Sequence, residues 1–515
     1  MIAHGLKPSL ENGRLAQLTE LWEMQFRLLG WRRRLRAFGD NDAGTLLWFE
    51  PPHPSDSGFS VFAVRHPRVG GRAVRGSTLE WVGPGAPRRW TLSSPLAATR
   101  VRGGRVWAKL DGVPIVACAR DQIITCGLDP ADVRAQPALS AVLRRVLRAA
   151  QPGAAWLDVQ SVVGLRMDDP GASSSVHLEP WSYDRLGARA WEEIGSILER
   201  HDARMSVAYT PGWVDDGDPI RGELLVAGNA VERVPGRVHP SPLVHYVGKQ
   251  ARSADCATEF EAVRALRNRG ICEIELHGYT HVHPDLERWA AAPGRHHKLG
   301  WYRELGVDVT SAIAARGPDR HPVTLGLELM REHIGEPTAL VCPGNTCSNA
   351  TLQHAHELGL QAVASTALAL RGANGFSPVG GVVSVPLDGQ PEAALATEGL
   401  VIGCFHDRDV AVEGVEWLGA SLTRWRAAGA RRFVDIRELT SALNLELSFA
   451  REGVESTVRI QRHGGTPLPR PFPALIQVGA DVPREVALTS AAGTDRLEVE
   501  QLGGGLARVH IPAGV

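Results

Sequence analysis

Val162-Val163-Gly164-Leu165-Arg166-Met167-Asp168-Asp169-Pro170-Gly171 is the stretch whose reading decides the fold. Its first half is a short apolar run, the kind that fills a strand buried on both faces of a parallel sheet. Its second half sets two adjacent carboxylates at the strand's C-terminal end, where burial is costly unless positive charge meets them. An ordinary acidic turn at Asp-Asp-Pro-Gly is the plainer alternative. Three further apolar runs, however, end in a similar way. Ile271 to Leu276 leads into His277-Gly278-Tyr279-Thr280-His281, Leu340-Val341-Cys342 into Pro343-Gly344-Asn345, and Val401 to Phe405 into His406-Asp407. Carboxylates and imidazoles gathered at successive strand ends are the pattern of a catalytic barrel face.

Outward from that stretch, strands alternate with helical patterns. Ala188 to Glu199, Phe260 to Leu266, Thr324 to His333, Asn349 to Leu358 and Trp417 to Ala428 carry the helical spacing. The alternation predicts an α/β fold with a parallel sheet, open or closed, over residues 156–445. Thr210 to Ser253 reads as a loop-rich insertion. Residues 446–515 alternate without helices, which predicts a small C-terminal β-sandwich. Residues 1–155 open with an amphipathic pattern at Leu15, Leu18, Trp22 and Leu29, followed by Arg32-Arg33-Arg34, read as a solvated helix end. Strands follow, among them a hairpin turning at Asp111-Gly112 in a type I′ geometry. A helix with Leu139, Val142, Leu143, Val146 and Leu147 on one face then completes an N-terminal α/β domain.

The 515 residues exceed one ordinary core, so two or three domains are expected. A net charge of −1 argues against nucleic acid as a partner. The seven cysteines are odd in number and include no C-x-x-C pair, so neither a disulfide frame nor a thiolate zinc site is indicated. No apolar run reaches membrane-spanning length and no N-terminal apolar leader is present, so a cytoplasmic protein without membrane contact is expected.

His277 and His281 are spaced so that both rings can face one point if the residues between them turn helically. Two imidazoles and one carboxylate leave a coordination position open, which is the catalytic form of a zinc site. His283 competes with His281 for that role, and spacing favours His281. Of the two aspartates, one ligates and the other is free to take a proton, since neighbours on an extended strand point apart. His354 and His356 are two positions apart on a helix and cannot share a face. Trp213, Trp301 and Tyr302 read as core residues before they read as a sugar platform. His296-His297-Lys298 reads as a solvated loop at the rim.

In order and type, Asp168-Asp169, His277-x-x-x-His281, Pro343-Gly344-Asn345 and His406-Asp407 resemble the motifs of polysaccharide deacetylases with a NodB-type domain, the family-four carbohydrate esterases. The resemblance implies a distorted (β/α)7 barrel and a metal-dependent hydrolase removing an acetyl group from an N-acylated sugar or related amide. It implies Asp168 as catalytic base, Asp169, His277 and His281 as ligands of a divalent metal, zinc first, and His406 as the acid that protonates the leaving amine. Pro343, Gly344 and Asn345 fall on the substrate-binding loop. Two features of the family pattern are missing. Its third motif begins with an arginine, for which Arg166 is the nearest substitute here. Its Asp-Trp pair, which orients the acid histidine, has no counterpart near Ala362, leaving Asp388 as the candidate. These gaps keep a second expectation open, an impaired barrel that binds a carbohydrate or metal without turnover. The hairpin and the following Cys126-Gly127-Leu128-Asp129 loosely resemble the end of a class I glutamine amidotransferase-like domain. No nucleophile elbow accompanies them, so that domain is expected to be non-catalytic.

Overall fold

The computed structural model describes residues 10–31, 34–40, 44–50, 62–67, 73–119, 123–129, 137–151, 154–177, 181–395, 398, 400–452, 455–477, 483–490, 493–503 and 505–515. The chain is mixed α/β, with several sheets. The largest contains β1 (Val162–Asp168), β2 (Met205–Tyr209), β3 (Cys272–Leu276), β4 (Ala339–Val341), β5 (Ala362–Ala364), β6 (Ala367–Gly372), β7 (Gly375–Pro386), β8 (Val401–His406) and β9 (Arg432–Val434). Their order is β2-β3-β4-β5-β6-β7-β8-β1-β9, and β1 also pairs with β2.

Every residue of β1 and of β2 is buried, as the apolar runs required. Successive side chains leave opposite faces of a strand. Val163, Leu165 and Met167 therefore pack outward with Trp191, Ile194, Ile197 and Leu198 of α1 (Ala188–Arg200). The inward positions around the sheet are mostly small or apolar, including Ala208, Ala339, Ala362, Ala364 and Ile402. Arg166 and Asp168 lie on the same strand face as Gly164, and both are buried. Helix starts are fixed by side chains. Asp255 caps α2 (Cys256–Asn268), Ser348 caps α4 (Asn349–Glu357) and Asp435 caps α6 (Ile436–Leu443), each accepting a backbone N–H. Between α2 and α4 lies α3 (Pro322–His333), and α5 (Glu416–Ala427) precedes β9.

Three expectations need correction. Strict βα alternation fails after β5, where β5–β6 and β6–β7 pair antiparallel. Only Ser365-Thr366 and Ala373-Asn374 separate these strands, and a parallel crossover needs about a dozen residues. The 210–253 stretch is not loop-rich. Gly222–Val226, Asn229–Ala230, Val244–Gly248 and Ala254–Asp255 form one small sheet, and Gly212–Val214 pairs with Val238–Pro240. Apolar side chains account for this, since Trp213, Leu224, Val244 and Tyr246 share a buried cluster. Arg32 and Arg33 lie outside the described residues, and Arg34 opens a strand rather than ending a helix.

The N-terminal helix Leu10–Leu28 and the helix Pro137–Ala150 flank an eight-stranded sheet. The hairpin Arg105–Leu110/Val113–Cys118 turns at Asp111 (φ 43°) and Gly112 (φ 78°), the positive pair that a type I′ turn needs. C-terminal to the large sheet come two four-stranded sheets. One is Leu445–Glu452, Glu455–Arg462, Glu485–Ser490 and Gly493–Glu498; the other is Glu500–Gly503, Leu506–Ile511, Phe472–Gln477 and Ala155–Leu157. Ala155–Leu157 precedes β1 in the chain yet pairs with Ala474–Ile476. Among the described residues no helix is long and apolar enough to cross a membrane.

A candidate metal and acyl-transfer site

β1 ends at Asp168, and Asp169 turns away with φ 82°, a left-handed conformation that few non-glycine residues adopt. The turn sends the two carboxylates in different directions. Asp169 Oδ1 lies 3.2 Å from His277 Nε2 and 3.2 Å from His281 Nε2. These three buried residues offer ligand atoms that all lie within 4.8 Å of one another. His277 Nδ1 meets the Val341 carbonyl at 3.0 Å, so this nitrogen carries the proton and donates. A neutral His277 then points a bare Nε2 lone pair at a carboxylate, which is repulsive unless a proton or a cation sits between them. The donor set therefore fits a divalent cation. Without one, burial would raise the Asp169 pKa, but the His281 charge and two ring hydrogen bonds outweigh it and hold the carboxyl well below its usual range. Burial likewise opposes charging His281, and Asp169 overcomes it to raise that pKa.

The loop that carries the histidines is held by Glu304, which the sequence did not single out. Its buried carboxylate accepts the backbone N–H groups of Tyr279 (2.9 Å), Thr280 (3.1 Å) and His281 (3.1 Å), and the Thr280 hydroxyl at 2.8 Å. Gly278, at φ 68°, makes room, because a Cβ there would stand 2.3 Å from Glu304 Oε2 and 2.6 Å from Pro343 Cγ.

Asp168 is oriented by Arg166. Arg166 Nη2 donates to Asp168 Oδ2 at 2.8 Å and to Asn345 Oδ1 at 2.9 Å, and the guanidinium is fully buried. Among the described residues Asp168 Oδ1 has no hydrogen-bond partner, which leaves it able to accept a proton. Arg166 lies two residues upstream of Asp168 on β1, on the same strand face, and fixes one oxygen of its carboxylate.

His406 ends β8 directly beside Asp168 in the parallel register. Its backbone N–H donates to Asp409 Oδ2 at 2.8 Å, and its Nδ1 faces the same oxygen at 3.4 Å. Burial disfavours the imidazolium, but the Asp409 hydrogen bond and the charges of Asp169 and Asp168 prevail and raise its pKa to about 9. Asp388 does not take this role; it is exposed. The signal for Asp409 was present in the sequence, because an acidic residue three positions after a strand-ending residue closes a capping box on the next helix. Asp407 is buried and accepts from Tyr183 Oη (2.5 Å) and Arg185 Nη1 (2.6 Å), tying β8 to the segment after β1.

A cavity of about 280 Å³ opens over these groups. Gly344 and Asn345 line it, whereas Pro343 is buried behind them and is not among the lining residues. The Asn345 N–H is spent on the Cys342 carbonyl at 2.9 Å, so it is not free to hold an oxyanion. Trp181 meets the His406 ring edge-on at 5.3 Å, and Tyr302 stacks with His297 at 5.7 Å, all four lining the cavity. His296 is a buried wall residue rather than part of a solvated loop. Trp289 Nε1–H donates to His296 Nδ1 at 3.1 Å, and among the described residues Nε2 has no hydrogen-bond partner. Burial, with the charges of His281 and His297, pushes its pKa down to about 3, so this ring is neutral. His283 accepts from the Asp285 N–H and packs against Trp301, away from Asp169. Trp213 and Trp301 are buried. His354 bonds Thr324 while His356 bonds the Gly372 carbonyl, so the two face apart as their spacing required.

No protein-family model matches the chain, and no curated protein matches it. Among solved structures, it is similar to a CE4 family pseudoenzyme from Bacillus anthracis at 10% identity and a TM-score of 0.29, covering 55% of this chain and 67% of that one. A mutant CE4 family pseudoenzyme described as having restored enzymatic activity gives 11% identity and 0.29, covering 55% and 69%. A candidate polysaccharide deacetylase from Mycobacterium smegmatis gives 12% identity and 0.33, covering 57% and 93%. At these identities and scores the likeness carries no functional weight.

Proposed function

We propose that the chain is a metal-dependent hydrolase that removes an acetyl group from an N-acetylated sugar or a related amide, on a distorted barrel formed by the ring of pairings from β1 through β8 and back to β1. The observation that carries this reading is the convergence of Asp169, His277 and His281 on one point, with Asp168 and His406 side by side at the strand ends next to it. Asp169, His277 and His281 would hold the ion. A bound divalent cation, zinc being the first choice for this donor set, supplies Lewis-acid polarisation of the acyl carbonyl and acidifies a water.

The protein's own groups divide the remaining work. Asp168 Oδ1 accepts the proton of the attacking water, while Arg166 fixes the other carboxylate oxygen. His406, kept protonated by Asp409, donates to the leaving nitrogen as the C–N bond breaks. Neutral His296 presents an N–H on the cavity wall. Trp181 and Tyr302 offer faces against which a sugar ring can lie. The binding-only alternative rested on the missing arginine and Asp-Trp pair; Arg166 beside Asp168 and Asp409 beside His406 are what support the hydrolase reading over it.

The test combines metal analysis with acetate release from a panel of N-acetylated sugars. One equivalent of divalent metal in wild type, lost in His277→Ala, together with turnover falling at least ~10²-fold in Asp168→Asn, is expected. A metal-free wild type, or metal-loaded protein inactive on the whole panel, counts against the reading.

A further inference from the structure

A second cavity, of about 300 Å³, lies between the N-terminal sheet, the helix Pro137–Ala150 and the C-terminal sheet. Among the described residues it shares no lining residue with the candidate active site. Arg88, Arg145, Arg148, Trp156, Gln160 and Gln477 are among the residues that line it. Two of the three arginines are engaged. Arg145 grips Glu398 with two nitrogens, at 2.7 and 2.8 Å, and Arg88 reaches the same carboxylate at 3.0 Å. Arg148 is different. Its guanidinium stands 5.7 Å from the Trp156 ring, and among the described residues it has no hydrogen-bond acceptor or ion-pair partner. The other carboxylate whose charge reaches it, Asp158, is approached by Arg508 at 3.4 Å and Arg431 at 3.9 Å.

The cluster therefore holds more positive charge than its carboxylates neutralise. Buried Arg144 adds to the excess and is spent on the Gln25 side chain and the Glu398 carbonyl. Burial, then the neighbouring guanidinium charges, push Arg144 down to about 9 and Arg148 to about 10. Like charges crowded around a cavity are unfavourable unless an anion enters it. Guanidinium groups match oxyanions in shape, with paired N–H donors for paired oxygens. The ring of Trp156 adds an apolar wall for the remainder of a ligand.

We propose that this cavity is a binding site for a small phosphate-bearing molecule, with Arg148 as its principal ligand and Arg88 and Arg145 in support. Pyrophosphate is the probe, applied to the full chain by titration calorimetry and thermal melting. Sodium chloride at equal ionic strength and citrate are the comparison arms. Saturable pyrophosphate binding with a raised Tm is expected, with affinity weakened on the order of tenfold or more in Arg148→Met. Without added anion, Arg148→Met should melt no lower than wild type, because it removes an uncompensated cation and keeps the stem. Should that variant misfold, Arg88→Ala, whose side chain is 54% exposed, should fold and bind several-fold more weakly. The proposal is overturned if no saturable binding occurs, if chloride reproduces the shift, if citrate binds more tightly than pyrophosphate, or if the variants bind like wild type.

Discussion

Arg166 and Asp168 are two positions apart on one strand, so their side chains leave the same face and meet. That relation could be read from the sequence once β1 was recognised as a buried strand. The bond to Asn345 could not, because it depends on how β4 and its turn sit beside β1. Replacing Arg166 with methionine leaves Asp168 and Asn345 without a shared donor. Turnover is expected to fall about 10²-fold with KM little changed, and Arg166→Lys should recover only part of it, because an ammonium lacks the planar fork. Steady-state kinetics of the two variants provide the check. The proposed acid has its own signature. His406 is raised from the usual 6.5 to about 9, so it is protonated through neutral pH and loses its proton as pH rises past that value. A cation at Asp169 cancels part of that carboxylate's pull, which places the alkaline limb of the rate profile between the two figures. Asp409→Asn removes the strongest stabilising partner and should move that limb to lower pH. An unmoved limb would assign it to another group.

Among the elements, the loop from His277 to His281 shows how far spacing carries. The four-residue interval and Gly278 were legible as a turn off the strand end. Glu304 was not, because it lies 23 residues beyond His281 and belongs to no motif. Its carboxylate satisfies three successive N–H groups that would otherwise be buried without acceptors. Gly278→Ala combines a positive φ with a 2.3 Å approach to that carboxylate, so the loop must shift. Metal affinity is expected to drop ~10–100-fold, as for the loss of groups that orient ligands, with ~1–3 kcal/mol lost from stability. Competition with a chelator of known affinity, alongside a denaturant melt, separates the two effects. Wild-type metal retention in this variant would show that Glu304 does not fix the loop.

Across the whole molecule, the βα alternation from β1 to β5, and the strands β8 and β9, were legible because buried parallel strands are written as uninterrupted apolar runs, whereas the antiparallel β6 and β7 were not. The ties between regions were not, because they are short and join distant residues. Ala155–Leu157 is three residues long, and Leu157 pairs with Ala474. Trp31 Nε1 donates to the Ala155 carbonyl, and Arg27 to the Leu370 and Arg371 carbonyls, fastening the N-terminal helix and the residues after it to this strand and to β6. One buried cluster takes in Leu28, Leu157, Leu439 and Leu443 together with Leu447, Phe449, Phe472 and Ile476 of the C-terminal sheets. Each such side chain contributes about 1.5–3 kcal/mol by burial, against a typical net stability of about 5–15 kcal/mol. Uncovering several of them exceeds that margin. A chain cut after Leu445 is therefore expected to lose its cooperative melt and to bind a hydrophobic dye, even though every candidate metal ligand is present. A soluble truncated protein that melts within a few degrees of the full chain and keeps its metal would show instead that the C-terminal sheets are a separable appendage.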